Sequence, residues 1–186
     1  REAFAKRGHD AWSCDLLPTE IPGQHIQGDV LPILNQDWDL MIAHPPCTYL
    51  TVSANKWYKE QPKRKSGALV GDERLTARFQ AFGFFMTLWS QLNIEKIAIE
   101  NPIGIMSTFL RKPDQVIQPW QFGHGETKAT CLWLKNLTPL MYWGYKKKPE
   151  STKIPGNWFN KGGKERQKNR AKFFPGIARA MAEQWG

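Results

Sequence analysis

Two short apolar runs set the pattern of this chain. Leu40-Met41-Ile42-Ala43 has no helical period and lies between Asp39 and the pair Pro45-Pro46. A run of this kind predicts a strand buried on both faces, as in a parallel sheet. Lys96-Ile97-Ala98-Ile99 has the same shape and is followed by Glu100-Asn101-Pro102. Between them Leu75, Phe79, Phe82, Phe85, Met86, Trp89 and Leu92 recur at helical spacing. They predict the longest amphipathic helix of the chain, with its aromatic stripe in the core. Strand, helix and strand in this order predict neighbouring parallel strands in an α/β protein.

The remaining elements are shorter. Arg1 to Gly8 reads as a helix closed by Gly8, with no cap at its start, as though a strand and turn came before it. Ala11 to Cys14 predicts a strand ending at Asp15-Leu16, and a loop carrying Pro22-Gly23 leads to Gly28-Asp29-Val30. Leu31 to Trp38 predicts a short helix, Ile103 to Leu110 a short helix or turn, and Thr130 to Leu134 a further strand. Thr51 to Asp72 is polar and aperiodic, with Lys56, Lys59, Lys63, Arg64 and Lys65 beside Trp57 and Tyr58. A loop of that length predicts a functional lid or a linker. Pro175 to Trp185 predicts a closing helix with Pro at its start and Ile177, Ala180, Met181 and Trp185 on one face. There is no internal repeat, and residues 1–186 read as a single domain.

Charge adds a partner to this picture. The chain has 186 residues and a net charge of +9 with nine Trp, which points to an anionic partner, most commonly nucleic acid. From Lys146 to Lys172 there are ten Lys or Arg and only two Glu, a stretch suited to phosphate contact. The three cysteines, Cys14, Cys47 and Cys131, are widely spaced and odd in number. They give neither a disulfide framework nor zinc-ligand pairs, so the expectation is a reducing cytoplasm and no metal. No stretch approaches the ~20 apolar residues that span a bilayer, and the expected protein is soluble and intracellular.

The candidate chemistry sits where the two apolar strands end. Pro45 and Pro46 lack the N–H that a sheet ladder needs, so they end the first strand and deliver Cys47 on a stiffened backbone. Glu100 follows the second strand. If the strands are parallel neighbours, a thiol nucleophile and a carboxylic acid emerge at one sheet edge. A lone cysteine is more often a small core residue, but a core residue needs neither the double proline nor the matching Glu-Asn-Pro. Asp15 and Asp29, each near the end of a short segment, suit the ribose or base of a nucleotide-like cofactor. They suit equally a helix cap or turn.

Pro45-Pro46-Cys47 followed by Glu100-Asn101-Pro102 resembles the DNA (cytosine-5) methyltransferases, most closely their short phage-type forms. The resemblance spans nearly the whole chain. It implies a Rossmann-like class I methyltransferase fold, with a mostly parallel central sheet and helices on both faces. It implies Cys47 as the nucleophile on cytosine carbon 6, Glu100 as the group on ring nitrogen 3, and S-adenosylmethionine as methyl donor to a base flipped out of DNA. Asp15-Leu16 would hold the cofactor ribose and cover the adenine, Asp29-Val30 would meet the adenine amino group, and Pro45 and Gly176 would complete the cofactor site. Pro102 stands where the family has Val. The Gly-rich first motif, which would precede Arg1, is absent. The Gln-x-Arg-x-Arg motif is also absent, and Lys128 is the nearest cation to replace it as a catalytic contact. The target-recognition region is reduced to a basic insertion over 137–172, which predicts short or relaxed sequence preference. The location implied is the cytoplasm of a bacterial host. An adenine amino-methyltransferase would need an aromatic residue after the prolines, where Cys47 stands. A methylase of free cytosine nucleotides and an inactive DNA-binding homologue remain the alternatives.

Overall fold

A computed structural model describes residues 1–62, 64–142 and 173–186. Lys63, the run Lys146 to Lys172 and most of the 137–172 insertion lie outside the described residues. In chain order the elements are α1 (Glu2–Ala5), β1 (Ser13–Asp15), β2 (His25–Gln27), β3 (Leu40–Ala43), α2 (Gly71–Trp89), β4 (Lys96–Pro102), α3 (Met106–Phe109), β5 (Gln115–Ile117), β6 (Thr130–Lys135) and α4 (Pro175–Trp185). Single 3₁₀ segments occupy Leu31–Ile33, Val52–Tyr58 and Pro119–Phe122. The chain forms two compact units, one of residues 1–32, 117–129 and 140–186, the other of residues 33–116 and 130–139.

The second unit is built on a four-stranded sheet in the order β3-β4-β6-β5. β3 and β4 are parallel, with Leu40 opposite Lys96 and Ala43 opposite Ile99. β4 and β6 are antiparallel, with Ile97 opposite Lys135 and Pro102 opposite Thr130. The expected Rossmann-like, mostly parallel central sheet is therefore not formed. The sheet is mostly antiparallel, and β1 and β2 pair only with each other in a separate parallel ribbon. The reason lies in the connections, since a parallel neighbour requires a helical crossover. α2 supplies one between β3 and β4. Between β4 and β6 the only helices are the four-residue α3 and the 3₁₀ segment Pro119–Phe122, too short to carry the chain back across a sheet face.

Burial follows the same logic. Ile97, Ala98 and Ile99 of β4 are fully buried, flanked by strands on both sides. β3 stands at the sheet edge and is only half-buried along its length, so the expectation of burial on both faces holds for β4 alone. α2 contributes Phe85 and Leu88 to the core, and Phe85 meets the buried Trp133 of β6 edge-on at 5.4 Å between ring centroids. The stripe on α2 is core only in its C-terminal half. Leu75 and Phe79 are exposed, as is Leu92 beyond the helix end, while the buried residues of the first turns are Gly71 and Arg74.

Asp114 ties the start of β5 to β6. Partial burial opposes its ionisation, but the Arg111 guanidinium at 2.6 Å and the Leu134 N–H at 2.7 Å outweigh this and hold its carboxyl below the usual range. A carboxylate whose pKa is depressed by folding stabilises the folded state above its unfolded value of about 3.9, and that stability is lost as pH falls through the folded value. Thermal melts taken from about pH 5 to about pH 2 should show this acid loss. Asp114→Asn should melt lower at neutral pH and lose less on acidification.

The first unit contains α1, the β1–β2 ribbon and α4. α4 buries Ile177, Ala180, Met181, Ala182 and Trp185, and α1 packs against it. In the ribbon Ser13 lies opposite His25 and Asp15 opposite Gln27. Among the described residues no helix is long and apolar enough to cross a membrane.

Candidate functional site

The site of the second unit begins where β3 stops. Its pairing with β4 ends at Ala43 opposite Ile99, and β4 continues through Glu100, Asn101 and Pro102 because β6 still pairs with it there. Running the parallel register one residue further sets His44 beside Glu100. The structure has that contact, with His44 Nδ1 at 3.1 Å from Glu100 Oε2. One residue on, the Asn101 side chain donates its N–H to the Pro45 carbonyl at 2.9 Å. Asn101 is 1% exposed, and its Oδ1 is buried without a hydrogen-bond partner among the described residues.

Cys47 is exposed at the head of a turn, its carbonyl accepting the N–H groups of Leu50 and Thr51 at 3.0 and 3.1 Å. The chain after it is fastened to the segment after β4. Thr51 bridges Gly104, and the Ile105 N–H reaches the Leu50 carbonyl at 2.8 Å. A Cβ on residue 104 would run into the Leu50 carbonyl, so only glycine allows the two backbones to lie this close.

α2 holds the same turn from the other side. Arg74, 4% exposed, donates to the Thr48 and Leu69 carbonyls, each at 3.3 Å, with Tyr49 and Tyr58 beside its guanidinium. One helical turn later Arg78 donates to the Tyr49 carbonyl at 3.0 Å and lies 3.5 Å over the Tyr58 ring, whose hydroxyl also donates to the Tyr49 carbonyl. The stretch from Thr51 to Asp72 is thus neither an open lid nor a slack linker at its start. Val52–Tyr58 is a 3₁₀ segment packed on α2. Within it, Trp57 carries Lys56 at 4.9 Å and Arg64 at 4.0 Å from its ring. His44, Arg74 and Arg78 are the residues around this turn that sequence reasoning missed. The one available signal was the i,i+4 spacing of Arg74 and Arg78 on a predicted helix.

Of the three cysteines, Cys47 is the exposed one. Burial pushes the Cys131 thiol up, and the charge of Glu100 adds to this. In the first unit partial burial raises the Cys14 thiol, with Asp15 and Asp29 contributing in turn.

Asp15 and Asp29 stand at the carboxyl edge of the β1–β2 ribbon. Asp15 Oδ1 accepts the Leu17 N–H at 2.8 Å and Asp29 Oδ1 accepts the Leu31 N–H at 3.0 Å, so each shapes its own turn. Each keeps Oδ2 for another donor, Leu16 is exposed beside them, and Val30 is half-buried. Two acceptor carboxylates with apolar neighbours suit the hydroxyl and amine donors of a nucleoside. Gly176 lies in the first turn of α4, its N–H on His124 Nε2 at 3.0 Å. A Cβ there would strike the Phe122 carbonyl and the His124 ring. Lys128 donates its N–H to Gln118 and places Nζ 5.8 Å from the Phe174 ring centroid. Lys128, Gly176, Asp15, Leu16, Asp29 and Val30 all belong to the first unit, and Cys47, Glu100 and Pro45 to the second. No group of His, Cys, Asp and Glu among the described residues could hold a metal ion.

The chain matches no protein-family model, no curated protein and no solved structure.

Proposed function

We propose that this chain transfers a methyl group from S-adenosylmethionine to carbon 5 of cytosine in DNA, through a covalent adduct on Cys47. The observation that carries this reading is the pairing at the ends of β3 and β4. The parallel register ends at Ala43 opposite Ile99 and carries on into the His44–Glu100 contact, and the buried Asn101 amide fastens the Pro45 carbonyl, two residues before Cys47. The reading rests on that strand pair and its turn, and it does not need a parallel sheet beyond them.

Cytosine carbon 5 is a weak nucleophile, so a covalent bond elsewhere in the ring must activate it. The Cys47 thiolate adds to carbon 6 while Glu100 supplies the proton that ring nitrogen 3 takes up. Carbon 5 becomes electron-rich and takes the methyl. Loss of the carbon 5 proton, return of the nitrogen 3 proton and expulsion of the thiolate then restore the ring. S-adenosylmethionine supplies the electrophilic methyl when bound, and Asp15, Leu16, Asp29 and Val30 would hold its nucleoside part. The cations stacked on Trp57 and Tyr58, with the basic run from Lys146 to Lys172, favour a polymer over a free nucleotide.

The test is transfer of labelled methyl to unmodified DNA and, in parallel, to deoxycytidine monophosphate. Label recovered as 5-methylcytosine from DNA, with a 5-fluorocytosine adduct mapped to Cys47, is the expected result. Label in the mononucleotide alone would give the function to a free-nucleotide methylase. DNA binding with no label and no adduct would leave a binding protein.

A further inference from the structure

We infer that His44 is a positioning residue for methyl transfer, holding behind Glu100 the proton that Glu100 passes to cytosine nitrogen 3. The inference deepens the function proposed above and rests on it. Its basis is the contact itself, His44 Nδ1 at 3.1 Å from Glu100 Oε2, in a setting that separates the two partners. The His44 side chain is 43% exposed and that of Glu100 15%, so the imidazole can exchange its proton with water while the carboxyl is largely screened from it. The backbone favours the contact. Residue 44 precedes Pro45 and is steered to extended geometry, which continues β3 and keeps His44 in register with Glu100.

Addition of the Cys47 thiolate forms the S–C6 bond and sends the C5=C6 π pair into the ring, where nitrogen 3 gains the electrons and needs a proton. Glu100 as a carboxylate has none to give. With one proton shared by the pair, it passes from Nδ1 to the carboxylate, and from the carboxyl hydroxyl to nitrogen 3. The pair ends as neutral imidazole and carboxylate, and the ring as an N3–H enamine. Expulsion of the thiolate reverses the path. The pair regains the proton it lent to nitrogen 3, and the carbon 5 proton displaced by the methyl group leaves to water. Among the described residues, the titratable groups set against Glu100 include His44 and the Cys131 thiol, which burial and then the Glu100 charge push up. Of the two, His44 is the one whose ring can carry a proton on each nitrogen and pass one to an acceptor.

The experiment is single-turnover adduct formation on 5-fluorocytosine DNA by the full chain, followed from about pH 5.5 to about pH 8.5, for wild type, His44→Gln and His44→Ala. The wild-type rate should pass through a maximum across this range, as paired acid and base groups give. Both variants should be slower by roughly a hundred-fold near the wild-type optimum and should lack the descending limb. Their affinity for DNA should stay within about two-fold of wild type, because an exposed side chain outside the basic segments is changed. Either variant retaining both the rate and the descending limb would overturn the inference while leaving methyl transfer intact. A wild type that forms no adduct would overturn methyl transfer, and this inference with it. His44→Gln and His44→Ala alter packing differently, so a loss caused by misfolding would separate them in melting temperature, whereas loss of the proton source affects both alike.

Discussion

Cys47→Ser should abolish methyl transfer to DNA, lowering the rate by more than about a thousand-fold while DNA binding stays at the wild-type level. The serine hydroxyl has nearly the same size and reach, but it is not ionised near neutral pH and adds poorly to carbon 6. The turn will survive the change because its backbone holds it. The Leu50 and Thr51 amides bond to the carbonyl of residue 47, and the side chain is exposed. Cys14→Ser and Cys131→Ser serve as controls. Both thiols are pushed up by burial and neighbouring carboxylates, and Cys131 is buried, so neither is poised as a thiolate nucleophile. Incorporation of labelled methyl by the three variants is the measurement. A Cys47→Ser rate near wild type would remove the covalent step, and with it the reason for placing Glu100 on ring nitrogen 3.

The β3–α2–β4 unit was legible in the sequence because each of its signals is local. The apolar runs at 40–43 and 96–99 lack a helical period, the helix between them is long, and Pro45-Pro46 can only end a strand. The rest of the sheet was not legible. Thr130 to Leu134 reads as a strand in either direction, because a buried run has no polarity of its own. Its antiparallel placement goes with a connection after β4 that has no long helix. β5 escaped notice as a three-residue strand between Pro113-Asp114 and Gln118-Pro119. The aromatic stripe of α2 misled for another reason. Periodicity locates a face but does not show how much of it is covered, and Phe79 remains exposed while Arg74 is buried. The placement of Cys47 and Glu100 after the apolar runs of two parallel neighbours could be read from strand order, because each follows its run closely. Arg74 and His44 could not, since their roles rest on contacts across 26 and 56 positions of the chain.

Arg74→Ala should destabilise the second unit by about 2–4 kcal/mol and loosen the Cys47 turn. The guanidinium is almost wholly buried, and two tyrosine rings and two carbonyls surround it. A desolvated cation–π contact is worth about 2 kcal/mol and a hydrogen bond from a charged donor about 1.5–3 kcal/mol. The cost of having buried the charge offsets part of that sum, and the buried Nε, which has no partner among the described residues, belongs to that cost. Alanine leaves the Thr48 carbonyl without its donor and a void between Tyr49 and Tyr58. At about 2–4 °C per kcal/mol for a chain of this size, the melting temperature should fall by roughly 5–15 °C. Arg74→Lys should recover little, because an ammonium cannot span the Thr48 and Leu69 carbonyls with a planar fork. The local readout is hydrogen exchange at the Leu50 and Thr51 amides, which close the Cys47 turn. These should exchange faster in Arg74→Ala by more than the global loss of stability accounts for, and the rate of adduct formation at Cys47 should fall with them. If their exchange tracks global unfolding alone, Arg74 contributes to the core of α2 and has no separate hold on the Cys47 turn.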